Sequence, residues 1–289
     1  MKRLILVLTL LLLLVLTSAC GNNETVEDNY NHLHTNIVSD ESRTEVKECL
    51  KKAGVSDERI DVFFSHVTQF NDAVDTSVLA SDFEEADMRT EFYDPYALQD
   101  MWMEKMPDFN GYNCRITAFS LFGEFIEISG NEPPRDADLF MDEESLEADP
   151  SALIGDNAYD NFRSLFSVVP TENTKDINIH AEKIKDDFEN RGISFKSNDK
   201  IKLVTLWQHN QWSEEENELF VGHTGILIRS DRKKLVFIEK LAFQEPYQAT
   251  IFNSENELYD YLMNKYNVSW DQPTAEPFVM INNDLLVKK

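Results

Sequence analysis

The chain is poor in positive charge. Against 53 acidic residues it carries 27 Lys and Arg, for a formal net charge of −26 over 289 residues. A field of that sign repels phosphate and offers no counterion release, which excludes nucleic acid as a partner. Cysteine is scarce as well: Cys20, Cys49 and Cys114 are the three present. No internal repeat is visible, and no second hydrophobic run of membrane-spanning length follows the first twenty residues. Metal-ligand patterns are also missing. His32 and His34 stand in a polar segment without a third ligand at useful spacing, and His209 is alone in the run QHNQ. The acidic stretch 130–150 lacks the alternating acids and glycine of a calcium loop. Neither a metal nor a cofactor is expected.

What is present starts at the N-terminus. MKRLILVLTLLLLLVLTSAC opens with Lys2 and Arg3, continues with an aliphatic run too short for a comfortable bilayer span, and ends in Ser18, Ala19 and Cys20. This resembles a bacterial lipoprotein signal. Residues 1–19 are expected to be removed and Cys20 to be lipidated, since two acyl chains hold a protein stably on a membrane. The expected location is extracytoplasmic, with Cys20 anchoring the chain to the bacterial cell membrane. Residues 20–39, polar and rich in Asn and acids, read as a tether in which His32 and His34 are solvated. Residues 40–289 read as a single α+β domain with ample Phe for a core.

Within that domain the first part has helical periodicity. Val46, Cys49, Leu50 and Ala53 share one face, and Gly54 stops the helix. Ser56 is placed to cap a second helix with Ile60, Phe63, Phe64, Val67 and Phe70 inside, and Asp94-Pro95 opens a third. Residues 130–150, with eight acids against Arg135, read as a solvated loop. After Ser197 the period changes to two. Strands are expected over 201–207, 219–229, 235–243 and 278–281, with SDRKK as a hairpin turn and Ser254 opening a helix through Leu258, Tyr261 and Leu262. Helices followed by an antiparallel sheet define an α+β order.

The segment NGYNCRITAFSLFGEFIEI carries the chemistry. Asn113 is a good N-cap, residues 116–128 are apolar nearly all round and read as a buried helix, and Cys114 falls at its first position. A thiol there meets the positive end of the helix dipole, which favours its thiolate. Cys49, on a buried stripe, reads as an inert thiol. The other readings of Cys114 are a core thiol or a disulfide with Cys49. In FVGHTGILIRSDRKKLVFIEK, His223 and Glu239 have the same parity on two strands of one hairpin, so a carboxylate could orient an imidazole toward the thiol. His223 read alone is more often a hydrogen-bonded sheet residue than a base, and only the short hairpin with Glu239 brings the two readings level. Trp207 and Trp212, flanking QHNQ, could line a cleft or pack in the core or at its rim.

Residues 110–244 resemble the papain-like, NlpC-type cysteine hydrolases, in which a Cys begins a buried helix and a His on the following sheet is oriented by a polar residue on the next strand. The resemblance implies Cys114 as nucleophile, His223 as base and Glu239 as orienting residue; Asn113, Trp207 and Gln244 are candidates to line the site. It implies a thiol-dependent peptidase or amidase acting on peptide or isopeptide bonds, with cell-wall peptide as substrate class. Two positions depart from the pattern: Asn113 stands where such enzymes commonly carry Asp, and Glu239 where they often carry His, Asn or Gln. The lipobox, NCRITAF and IEKLAFQEPYQ together resemble a family of bacterial lipoproteins of unknown function. The rival reading is a non-catalytic binding or adaptor lipoprotein on the same scaffold.

Overall fold

The computed structural model describes residues 30–288 except 91, 131–134, 136–138 and 231–233. Cys20, residues 1–29 and the middle of the SDRKK turn lie outside the described residues.

Helices fill most of the first half. They are α1 (Asp40–Ala53), α2 (Asp57–Ala73), α3 (Pro95–Lys105), α4 (Cys114–Phe122), α5 (Phe140–Ala148), α6 (Ala158–Leu165) and α7 (Ile177–Asn190), with α8 (Glu255–Tyr266) late in the chain. Local chemistry accounts for their ends. Ser39 accepts from the Ser42 N–H at the start of α1, and Gly54, at φ +94°, closes it in the left-handed region that only glycine enters freely. Val46, Leu50 and Ala53 are buried, while Cys49 is half-buried against the core. Asp94 caps α3 ahead of Pro95. Ser56 does not cap α2 with its hydroxyl. Its backbone N–H instead donates to Glu124 Oε1 at 2.8 Å.

Among the described residues nine strands form one antiparallel sheet, in the order β11 (Asp284–Leu285), β10 (Phe278–Ile281), β6 (Ile201–Gln211), β7 (Asn217–Arg229), β8 (Leu235–Lys240), β9 (Tyr247–Phe252), β1 (Asn31–Thr35) and β2 (Glu84–Asp87). The ninth, β4 (Val169–Thr171), pairs with the start of β7. A separate pair joins β3 (Ile126–Ile128) to β5 (Ile193–Phe195). The α+β layout is therefore that expected from the change of period. One face of the sheet packs on the helices of the first half through residues such as Ile226, Ile228 and Ile238. The other packs on α8 through Leu227, Phe237, Leu258 and Leu262.

Three expectations are corrected. The tether does not extend to residue 39: Asn31–Thr35 is a strand between β9 and β2, and Ser39 begins α1. In that strand polar residues face in and an apolar one faces out, with His32 and His34 buried and Leu33 43 % exposed, an inversion of the usual pattern. His32 packs edge-on to Phe252 at 4.7 Å, and His34 stacks on Phe92 at 5.7 Å. The acidic stretch is not all solvated loop, since α5 lies within it and buries Asp142 completely. The apolar run 116–128 is not one helix. It leaves α4 at Phe122, makes a 3-10 turn at Gly123–Phe125 and becomes β3, because an apolar run fits a buried helix and a buried strand equally well.

Candidate active site

Cys114 is the first residue of α4, and Asn113 Oδ1 caps the helix by accepting from the Ile116 N–H at 3.0 Å. The Asn113 amide donates to Asp142 Oδ1 at 2.8 Å. Arg115 grips the same carboxylate through Nε at 3.0 Å and Nη2 at 2.6 Å. Two residues flanking the cysteine are thus locked to one buried acid, which fixes the helix N-terminus. Two donors from one guanidinium give geometric precision that a single bond would not. Arg115 Nη1 also donates to the Val221 carbonyl at 3.0 Å, tying that N-terminus to β7.

At this point β7 is bulged. Its register against β6 shifts between Leu206↔His223 and Trp207↔Val221, leaving Gly222 without a partner opposite. In a straight strand residues 221 and 223 would share a face. The extra residue breaks that alternation, so Val221 joins the main core while His223 meets α8. At Gly222 a Cβ would come within 2.7 Å of the Gln208 side chain, whose end would have to move. Gly225 is the position that needs glycine. The space that a side chain would take is filled by the Phe237 ring at 2.5 Å, rather than by an approaching ligand.

Glu239 pairs across from Gly225, one step diagonal to His223. Its Oε2 lies 2.6 Å from His223 Nε2. Its Oε1 accepts from the Tyr261 hydroxyl at 2.7 Å and from Gln248 Nε2 at 3.3 Å. Nε2 being engaged, Nδ1 is the ring nitrogen left for Cys114, which lies close enough for the two groups to shift each other's titration. The three groups are buried, with Cys114 7 % exposed and His223 and Glu239 each 1 %.

Burial pushes the Cys114 thiol up, but the His223 charge and hydrogen bond outweigh it, with a smaller contribution from Arg115, and leave the thiol below its ordinary value. Burial likewise opposes charge on His223, yet Cys114 and Glu239 raise its pKa to about 9. Both directions describe a thiolate–imidazolium pair held by a carboxylate. Desolvation also lowers the pKa of Lys240, which follows Glu239 and points to the other face with its ammonium 3.9 Å above the Phe70 ring and donating to the Phe243 and Glu245 carbonyls.

Cys114, His223 and Glu239 are brought together. Asn113 is buried beneath the cysteine as a cap, and Gln244 lines an open groove with Phe92, Tyr93, Tyr96 and Glu245. Trp207 is not at the site: it is 1 % exposed, donates to Thr205 Oγ1 and packs near Phe188, because its strand position faces the core. Trp212, 63 % exposed, lies at the rim. Cys49 and Cys114 are not joined by a disulfide. Among the described residues no group of His, Cys and acids could hold a metal ion, and no helix is long and apolar enough to cross a membrane.

Sequence reasoning missed Asp142, Gln248 and Tyr266. Leu139, Asp142 and Leu146 do fall at i, i+3 and i+7, a helical signal hidden by the surrounding acids. Tyr266 stacks on His223, centroids 4.4 Å apart and planes at 19°. Nothing local in the sequence marks it.

Fold and site define an α+β protein with a buried Cys–His–Glu constellation at the junction of a helix N-terminus and a bulged strand. A family model described as a domain of unknown function (DUF4300) matches residues 33–286, and the chain belongs to that family. No curated protein and no solved structure matches it.

Proposed function

We propose that the protein is a thiol-dependent peptidase or amidase with a papain-like, NlpC-type arrangement, held at the cell envelope as a lipoprotein. The observation that carries this reading is the buried group Cys114, His223 and Glu239, with the imidazole 2.6 Å from the carboxylate and the cysteine at a helix N-terminus. The Cys114 thiolate attacks a carbonyl carbon, and the C–N bond breaks as the imidazolium gives its proton to the leaving amine. Water then attacks the thioester with His223 taking its proton, the C–S bond breaks, and a carboxylic acid leaves. The Cys114 backbone N–H, free at the first turn of a helix, can donate to the developing oxyanion.

Peptide and isopeptide bonds are the class of substrate this chemistry serves, and cell-wall peptide is the member that an envelope location favours. The test incubates the protein with peptide mixtures, cell-wall stem peptides among them, and searches by mass spectrometry for an acyl adduct on Cys114. An adduct in wild type that is missing in Cys114→Ala is the expected result. Cleavage undiminished in Cys114→Ala would end the hydrolase reading. The second reading, a binding or adaptor lipoprotein, is favoured by the near-complete burial of Cys114.

The anchor rests on the run LTSAC ahead of Gly21. Cys20→Ala is expected to move the protein from the membrane fraction to the soluble exported fraction, scored by fractionation and immunoblot. Equal partitioning of variant and wild type would reject lipidation.

A further inference from the structure

Tyr266 is the last residue of α8, and its ring covers one face of the His223 imidazole. Its hydroxyl is buried and has no hydrogen-bond partner among the described residues. Such a group has given up water without replacing it, so moving it outward breaks no hydrogen bond and restores hydration. Burial, followed by Glu239, Tyr261 and Cys114, pushes the phenol well above its ordinary value, so the ring moves as a neutral group. In the segment that follows, the side chains of Val268 and Trp270 stand out in solvent, 75 % and 70 % exposed.

Two cavities meet at this side chain. One, of about 420 Å³, is lined by His34, Phe92, Leu241 and Gln248 among others, and one of about 330 Å³ by Gln208, Phe220, Trp270 and Pro277 among others. Tyr266 is the one lining residue they share.

We propose that Tyr266 is the gate of the Cys114–His223 pair, and that its outward rotation joins the two cavities into one cleft holding substrate on both sides of the scissile bond. The gate rests on Cys114 acting as a nucleophile. His223 stays oriented when the ring leaves, because the Glu239 bond does not involve Tyr266. A small reagent can reach the thiolate past the closed ring, whereas a peptide needs the open one.

The test measures alkylation of Cys114 in the full chain by iodoacetamide and by a four-residue peptidyl acyloxymethyl ketone. Tyr266→Ala is expected to raise the ratio of peptidyl to iodoacetamide rates at least about tenfold, as removal of a lid should. Tyr266→Phe should stay near wild type, since the hydroxyl it loses makes no bond. Tyr266→Leu, which keeps apolar bulk in the space, should give an intermediate rise and answers the question if the alanine variant does not fold. An unchanged ratio in the folded small variants, with iodoacetamide still reacting, would overturn the gate and leave the nucleophile standing. No labelling of Cys114 in any folded variant would overturn both.

Discussion

At about pH 6.5, two units below the ordinary thiol pKa of about 8.5, Cys114 is expected to react with iodoacetamide much faster than Cys49. Cys49 is half-buried on α1 and packs against the core. Cys114 stands beside His223, whose pKa is raised to about 9, and its own is lowered. Between those two values the pair holds one proton, on the imidazole, so reactivity should be flat with pH. It falls as pH drops through the lowered Cys114 value and the thiolate is protonated.

The stability signs follow from the same shifts. The His223 contribution is complete below its unperturbed 6.5 and is lost as pH rises through about 9. The Cys114 contribution is complete above the ordinary thiol value of about 8.5 and is lost as pH falls through the lowered value. Removing the imidazole in His223→Ala leaves a buried thiol with its principal source of acidity gone. Its alkylation near neutral pH should slow about 100-fold, the low end of what a positioned acid–base group supplies. Peptide mapping of the labelled residues over a pH series is the measurement, and equal rates at the two cysteines throughout would defeat the thiolate assignment.

Glu239→Gln should be more damaging than its size suggests, lowering stability by roughly 2–4 kcal/mol and slowing Cys114 alkylation together. Sequence parity alone makes Gln look conservative, because an amide can still bond to an imidazole. The structure changes that expectation. Three donors converge on the carboxylate: the His223 ring, the Tyr261 hydroxyl and the Gln248 amide. An amide offers one acceptor oxygen and opposes its own NH₂ to whichever donors remain. With Oε1 retained toward Tyr261 and Gln248, the new NH₂ faces His223 Nε2 and forces the tautomer with its proton on Nδ1, where a thiol cannot transfer one. Urea unfolding with parallel alkylation rates tests both effects. Wild-type values in each would show that the carboxylate charge is not needed.

Much of the fold is legible because its signals are local. The apolar stripes of α1 and α2, the Asp94-Pro95 start of α3 and the switch to period two after Ser197 depend on neighbours in the chain, and each appears in the structure where expected. What misled was context. NHLHT has no apolar alternation, yet the sheet needs a strand between β9 and β2, and backbone bonds with burial of His32 and His34 decide its conformation. The acids from 130 to 150 imply solvent until Arg115 and Asn113, some thirty residues earlier, supply partners for Asp142. Trp207 left cleft and core both open, and the strand that carries it turns it into the core.

The placement of a cysteine at a helix start, and the equal parity of His223 and Glu239 on one hairpin, were set by the sequence itself. Capping and pleat alternation act over a few residues and need no knowledge of the rest. That the thiol meets the imidazole was decided only by the tertiary structure. It depends on the unpaired Gly222 re-aiming His223, on Asp142 and Val221 fixing the start of α4, and on α8 bringing Tyr261 to the carboxylate and Tyr266 over the ring. Each of these joins segments far apart in the chain, and the burial that makes the charges pair is a property of the packed core rather than of any local stretch.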